Sequence, residues 1–281
     1  MTNSRAVLIT GCSSGVGRAT ALRLVQAGYP VYATARRPET VAPLAGAGAT
    51  TLAVDVTDEE SMTAAVARVE NDHGAVGVLI NNAGYGLQGA VETVNLDQAR
   101  AQFETNLFGL VRLTQLVLPA MRAQGWGRII NVSSMGGHFS LPGAGFLHAS
   151  KHAVEAISDA LRMELRPFGV AVSVVEPGPI RTGFGEKINA TLPPAADSGP
   201  YSHFHAEVAA RVSAAYEPKF TNMVLSPEKV VRTIERAIHS ARPHARYPVG
   251  TMARGAITLS RLLPDASLDA VIRVVFPVPR R

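Results

Sequence analysis

The 281 residues, 47% hydrophobic and 17% charged, suffice for a full buried core, and Gly and Pro punctuate the whole length without a linker-like stretch. A single cysteine, Cys12, excludes an intramolecular disulfide and a cysteine-based zinc site. With no secretory leader in the first residues, it points to a reducing cytoplasm. The net charge of +5 is spread over 27 basic and 22 acidic residues, so the footprint of a nucleic-acid binder is lacking, and no apolar run reaches the roughly 18 residues that cross a bilayer.

Buried-strand patterns fall at Arg5–Thr10, Pro30–Ala35, Thr50–Val54, Val76–Asn81, Gly127–Val132 and Val170–Glu176. Helical periodicity covers 16–27, 58–73, 97–123 and 146–166 between them. Strands alternating with crossover helices predict an α/β fold, a doubly wound parallel sheet within one domain over 1–281. In such sheets ligands bind beyond the carboxyl ends of the strands, so the residues that follow each strand are the ones to read for chemistry. Past Pro177 the pattern loosens. Thr182 to Leu225 reads as a substrate-covering lid with one helix at 204–216, because structureless connections of that length are rare. Ser226 with Glu228 opens a further helix, Ala245–Val249 is a candidate last strand, and 255–276 is an apolar tail before PVPRR.

Gly11, Ser13, Ser14, Gly15, Val16 and Gly17 lie between the first strand and the first helix, where glycines let a pyrophosphate approach the N–H groups of a helix N-terminus. An NAD-binding fold usually carries a carboxylate at the end of the second strand. Ala35 stands there instead, followed by Arg36 and Arg37, and Arg18 follows the glycine loop. Guanidinium groups bind a 2′-phosphate that a carboxylate would repel, so NADP(H) is the expected cofactor, held by Arg18 and Arg36 while Arg37 fits a solvated turn. Cys12 reads as packing.

The G-x-x-x-G-x-G spacing together with Asn81-Asn82-Ala83-Gly84 resembles the short-chain dehydrogenase/reductase family, over about residues 5–185. Asp55-Val56, Asn106, Asn131-Val132-Ser133-Ser134, Ala149-Ser150-Lys151 and Pro177-Gly178 follow in the family's order. The resemblance implies that Asp55 and Val56 contact the adenine and that Asn82, Ala83 and Gly84 wall the cofactor. It also implies that Lys151 holds the nicotinamide ribose, and that Pro177, Gly178, Ile180 and Thr182 meet the carboxamide. The family's catalytic tetrad is Asn, Ser, Tyr and Lys. Asn106, Ser134 and Lys151 match it, but the tyrosine position, four before Lys151 and thirteen after Ser134, is Leu147.

Hydride addition to a carbonyl leaves negative charge on oxygen, and leucine has no proton to give; losing a positioned acid costs about 10²–10⁴ in rate. Three readings of Leu147 stay open: an isolated replacement of the phenol, divergence to non-redox chemistry such as cyclisation or elimination, and residual reduction. His148 projects about 100° from position 147 and fits a packed residue. Tyr85 is expected at the pocket, His138, Phe139, Tyr201 and His203 only if the lid folds over it, and a water between Ser134 and Lys151 could fill the phenol's place. Leu87, Phe139, Leu141, Phe146 and Phe184 suggest a hydrophobic ketone or alcohol. Within the family the chain looks like the hydroxysteroid and retinol dehydrogenase-like branch. Two further classes stay in view, an NADPH-binding sensor without turnover and a lyase or cyclase. The family's habit implies a homodimer or homotetramer through 97–123 and 146–166, and no nucleic-acid partner or metal is expected. The tail is expected to pack on the lid or a partner subunit and not on a membrane.

Overall fold

In the computed structural model, described for residues 3–193, 199–215 and 224–279, seven parallel strands form one sheet. They are β1 (Val7–Ile9), β2 (Val31–Ala35), β3 (Thr50–Ala53), β4 (Val78–Asn81), β5 (Gly127–Val132), β6 (Val170–Pro177) and β7 (Arg246–Val249), in the order β3-β2-β1-β4-β5-β6-β7. This is the doubly wound, Rossmann-like arrangement. The order reverses between β1 and β4, which opens a crevice at their carboxyl ends, where such sheets bind ligands.

Strand alternation sorts the core into two faces. Val7 and Ile9 of β1, Val78 and Ile80 of β4 and Ile130 of β5 pack under α1 (Gly15–Gln26) and α9 (Pro227–His239), against Ala21, Leu24, Ile234 and Ile238. Leu8, Leu79 and Ile129 point the other way, onto Val66 and Val69 of α3 (Glu59–His73) and Leu113, Val117 and Met121 of α5 (Gly109–Ala123). α3 begins where the Asp58 carboxylate accepts the Glu60 N–H, and ends at left-handed Gly74.

The expected helix over 97–123 is interrupted. α4 (Leu96–Phe103) passes into a π-turn over Glu104–Phe108 before α5, and Asn106 sits in that turn, not in a regular helix. Two short helices were not read from the pattern: α2 (Ala42–Ala45) and α7 (Phe184–Asn189). The next predicted helix is α6 (Gly145–Leu165). The apolar tail is two helices, α10 (Thr251–Leu262) and α11 (Asp265–Val275), broken at Pro264 because the residue before a proline avoids helical backbone; Leu263 is extended.

The segment expected to form the lid carries α7 and α8 (Ser202–Ala215); the parts at 194–198 and 216–223, including the end of the helix expected at 204–216, lie outside the described residues. Several bonds tie this segment to the loop after β4. The Gln88 N–H donates to Thr191 Oγ1 at 2.9 Å and the Ala90 N–H to His205 Nε2 at 3.0 Å. Arg211 of α8 donates to the Val275 carbonyl at 2.7 Å, so the tail packs on this segment. Among the described residues no helix is long and apolar enough to cross a membrane.

Candidate active site

The glycine loop is shaped by backbone that other residues resist. Gly11 and Gly15 lie at φ of +73° and +59°, in the left-handed region. A Cβ on Gly17 would strike the Gly11 carbonyl oxygen and come within 2.6 Å of Asn82 Nδ2. That Nδ2 donates to the Thr10 and Gly11 carbonyls at 2.9 and 3.1 Å, so Asn82 clamps the loop to the end of β4. Ser14 caps α1 without a side-chain hydrogen bond, and the first turn holds no acidic residue. The N–H groups of that turn therefore suit an anion. Thr182 closes the other side, its Cγ2 within 3.1 Å of a Cβ placed on Gly15, while its hydroxyl accepts the Phe184 N–H at 3.3 Å to start α7.

Around the loop the residues differ in freedom. Arg36 and Arg37 are exposed; Arg37 pairs with Glu39 at 3.8 Å, whereas Arg36 acts electrostatically on the Tyr85 phenol, whose pKa burial raises and Arg36 lowers. Arg18 is partly buried in the first turn of α1. Asp55 Oδ1 is engaged locally, accepting from the Thr57 N–H at 3.0 Å and its hydroxyl at 2.8 Å, and Val56 is buried beneath it. Cys12 is fully buried and its thiol is pushed up to about 12, chiefly by desolvation, which makes it inert packing.

The structure brings Asn106 and Lys151 to one wall. A Cβ on Gly84 would lie 3.0 Å from Asn106 Oδ1 and 3.8 Å from Lys151 Nζ. The Asn106 carboxamide accepts from the Tyr85 N–H and donates to the Tyr85 carbonyl, both at 3.0 Å, and donates to Ser150 Oγ at 3.1 Å. The π-turn supplies the extra residue that aims it there, as such turns often do at functional sites. Lys151 donates to the Val132 carbonyl at 2.9 Å; desolvation brings its ammonium down to about 8 despite the opposing pull of Glu155. Ser134, two residues past β5, lies in extended backbone and its hydroxyl accepts the Gly136 N–H at 3.1 Å. Leu147, partly buried, stands one helical turn before Lys151 on α6.

Several expected neighbours are committed elsewhere. His148 Nδ1 accepts the Leu141 N–H at 3.0 Å, the ring packs edge-on to Phe139, and burial lowers its pKa to about 4. Tyr201 donates to Glu92 at 2.6 Å and His203 faces Glu207 at 3.7 Å. Leu87, expected to line a pocket, is instead 3% exposed in a cluster with Val94, Ala99 and Phe146. Phe184 does reach the loop after β4, its ring 3.2 Å from a Cβ placed on Gly86. His138 turns inward, Nε2 at 2.7 Å from Glu176 Oε1.

That last contact belongs to a buried ionic cluster that sequence reading missed. Glu155, one turn beyond Lys151, and Glu176 of β6 converge with His138 so that their ligating atoms lie within 4.8 Å of one another. Arg246 of β7 holds the cation's place, its Nε at 3.1 Å from Glu155 and 3.3 Å from Glu176, and its second nitrogen at 2.7 Å from Asp159. Burial raises the Glu155 carboxyl, and Glu176 adds to this against Ser133, His138 and Arg246. The available signal was Glu155 at the i+4 position from Lys151 on an apolar helix.

A glycine-loop nucleotide fold with Asn and Lys on one wall defines an α/β protein built for dinucleotide chemistry. The family model described as short chain dehydrogenase matches residues 5–193, and the chain belongs to that family, whose members are NAD(P)-using oxidoreductases. It is 41% identical over 271 residues to the uncharacterized oxidoreductase YbbO of Escherichia coli, covering 96% of this chain and 94% of that one. It is also 35% identical to a 3-ketodihydrosphingosine reductase of Bacteroides thetaiotaomicron, covering 97% and 98%. A Burkholderia cenocepacia short chain dehydrogenase solved in complex with NADP superposes with a TM-score of 0.72 at 26% identity, covering 98% of this chain and 99% of that one.

Proposed function

We propose that this chain is an NADP(H)-dependent oxidoreductase that moves hydride between NADPH and a hydrophobic ketone or secondary alcohol, with a proton step altered by Leu147. The observation that carries the cofactor preference is the charge beyond β2: Ala35 instead of a carboxylate, then the exposed Arg36. The glycine cradle fits a dinucleotide, since Gly11, Gly15 and Gly17 leave no Cβ where the chain closes and the α1 N–H groups are uncapped. Gly11, Ser13, Ser14, Gly15, Val16 and Gly17 would hold the pyrophosphate, Arg18 and Arg36 the 2′-phosphate, and Asp55 with Val56 the adenine. Asn82, Ala83 and Gly84 would wall the cofactor, Lys151 would bind the nicotinamide ribose, and Pro177, Gly178, Ile180 and Thr182 would meet the carboxamide. When bound, the nicotinamide supplies the hydride; Ser134 would hold the carbonyl oxygen.

A hydrophobic ketone is supported by Phe184 over the loop after β4 and by the relative named for a 3-keto substrate. Assembly as a homodimer or homotetramer is supported by the exposed apolar residues Leu96 and Phe108 on α4 and the π-turn, which with Phe103 and Phe146 line a surface cavity of about 280 Å³. Leu147 itself favours a second reading, a non-redox enzyme or a sensor that binds NADPH without turnover. A fluorescence titration should give NADPH at least about tenfold tighter than NADH, and the Leu147→Tyr variant should raise ketone reduction at least about a hundredfold. Equal affinities would sink the cofactor preference; no gain across a broad ketone panel would favour the second reading.

A further inference from the structure

Resting on the reductase reading, we propose that Lys151 is the proton donor of this chain, delivering its ammonium proton to the substrate oxygen through the space that a phenol at position 147 would take. The other proton-bearing groups nearby are committed or are weaker acids. His148 already accepts from Leu141 and, with its pKa lowered to about 4, is neutral near pH 7; His138 faces Glu176; Ser134 accepts from Gly136 and is a weak acid. Tyr85 is held through its backbone by Asn106, and its phenol, raised above the ordinary range by burial against the smaller opposing effect of Arg36, is a weaker acid near neutrality than this ammonium.

Lys151 is differently placed. Its ammonium has three N–H donors, of which Val132 takes one, and Nζ lies against the same wall as Gly84 and Asn106. Leucine is shorter than a phenol, so the substrate oxygen, or one water on its way, can come to Nζ. Desolvation sets the ammonium near pH 8, close to the strength at which a general acid works best around neutrality. The charged groups behind it keep it from losing the proton altogether: Glu155 on α6 attracts the charge, and Glu155 is in turn held by Arg246 of β7 beside Glu176 of β6 and His138. As hydride reaches the carbonyl carbon, the C–O π pair moves to oxygen and takes a proton from Nζ. An O–H bond forms, an N–H bond breaks, and the neutral amine regains a proton from water. The net change is ketone, NADPH and one proton to alcohol and NADP+.

The chain has four lysines, so ¹⁵N-lysine NMR of the cofactor-free protein can follow Nζ of Lys151, identified as the resonance absent from the Lys151→Arg variant. A midpoint near pH 8 is expected, and one above about 10 overturns the proposal. In turnover, Lys151→Arg alone should lose at least about a hundredfold, because guanidinium keeps the charge but does not release a proton. Added to Leu147→Tyr, where only the ribose contact is lost, the same change should cost at least about tenfold less than it costs alone. Equal losses in both backgrounds overturn the proposal. An unaltered chain that is inert while Leu147→Tyr reduces ketones also overturns it and leaves the reductase reading standing; inertness of both removes the reading and the proposal together. Should Lys151→Arg fail to bind NADPH, the pH profile of the unaltered chain decides: a rate falling above about pH 8 supports Lys151, and a flat profile to pH 9.5 overturns it.

Discussion

Gly17→Ala tests whether the glycine loop is as closely fitted as its contacts imply. The new methyl would meet the Gly11 carbonyl oxygen and Asn82 Nδ2, and both belong to the clamp that joins the loop to β4. Overpacking of this kind costs about 1–3 kcal/mol, and each Asn82 bond lost contributes about 1 kcal/mol more. A total of about 2–5 kcal/mol corresponds to a fall in Tm of roughly 5–15 °C for a chain of this size, read by circular dichroism without cofactor. NADPH affinity should fall at least about tenfold in the same preparation, because the displaced N–H groups are those that would meet the pyrophosphate. Gly255→Ala is the control: nothing lies within 4 Å of its Cβ, and it sits inside α10. It should stabilise by about 0.5–1 kcal/mol through the backbone entropy of the unfolded chain. Unchanged Tm and affinity in Gly17→Ala would refute the close fit.

Two further outcomes follow from buried charge. Because burial holds His148 at about 4 in the fold against 6.5 unfolded, its contribution is complete above about pH 6.5 and is lost as pH falls toward 4, by up to about 3 kcal/mol. His148→Asn keeps an acceptor for Leu141 and should flatten that slope in urea titrations at pH 7.5 and 5; an unchanged slope counts against the assignment. Arg246→Met takes the guanidinium from Glu155 and Glu176, leaving them His138, and should cost about 3–5 kcal/mol at pH 8. The Glu155 carboxyl, already raised, then takes a proton more readily, so part of the loss should return at pH 5; a loss that deepens there would contradict the buried-carboxylate account.

The buried strands were legible because runs such as Val7-Leu8-Ile9 are apolar without a break, as a strand covered on both faces requires, and the loop was legible because glycines recur where only close approach demands them. The π-turn was not, since one inserted residue shifts helical periodicity too little to break an apolar pattern running through Leu107 and Leu110. Pro264 did carry the signal for the break in the tail, outweighed in the reading by the apolar residues on either side. Leu87 looked like lining because it follows a site motif, yet the chain turns it into the Val94 and Phe146 cluster. The Glu155, Glu176 and Arg246 cluster joins three distant segments, which the pairing of β6 with β7 and the packing of α6 on β6 bring together.

Ile180 and Leu225 form an isolated parallel bridge, with the Arg181 N–H donating to the Leu225 carbonyl and the Leu225 N–H to the Pro179 carbonyl, each at 2.8 Å. The 44 positions between those two residues thus leave and rejoin the scaffold at a single point. Doubling the length of a flexible closed loop costs only about 0.6 kcal/mol. Evolution or a designer can therefore exchange the excursion beyond Thr182, with its α7 and α8 surfaces, as a cartridge, retuning what is recognised while the sheet and the cofactor cradle keep their fit.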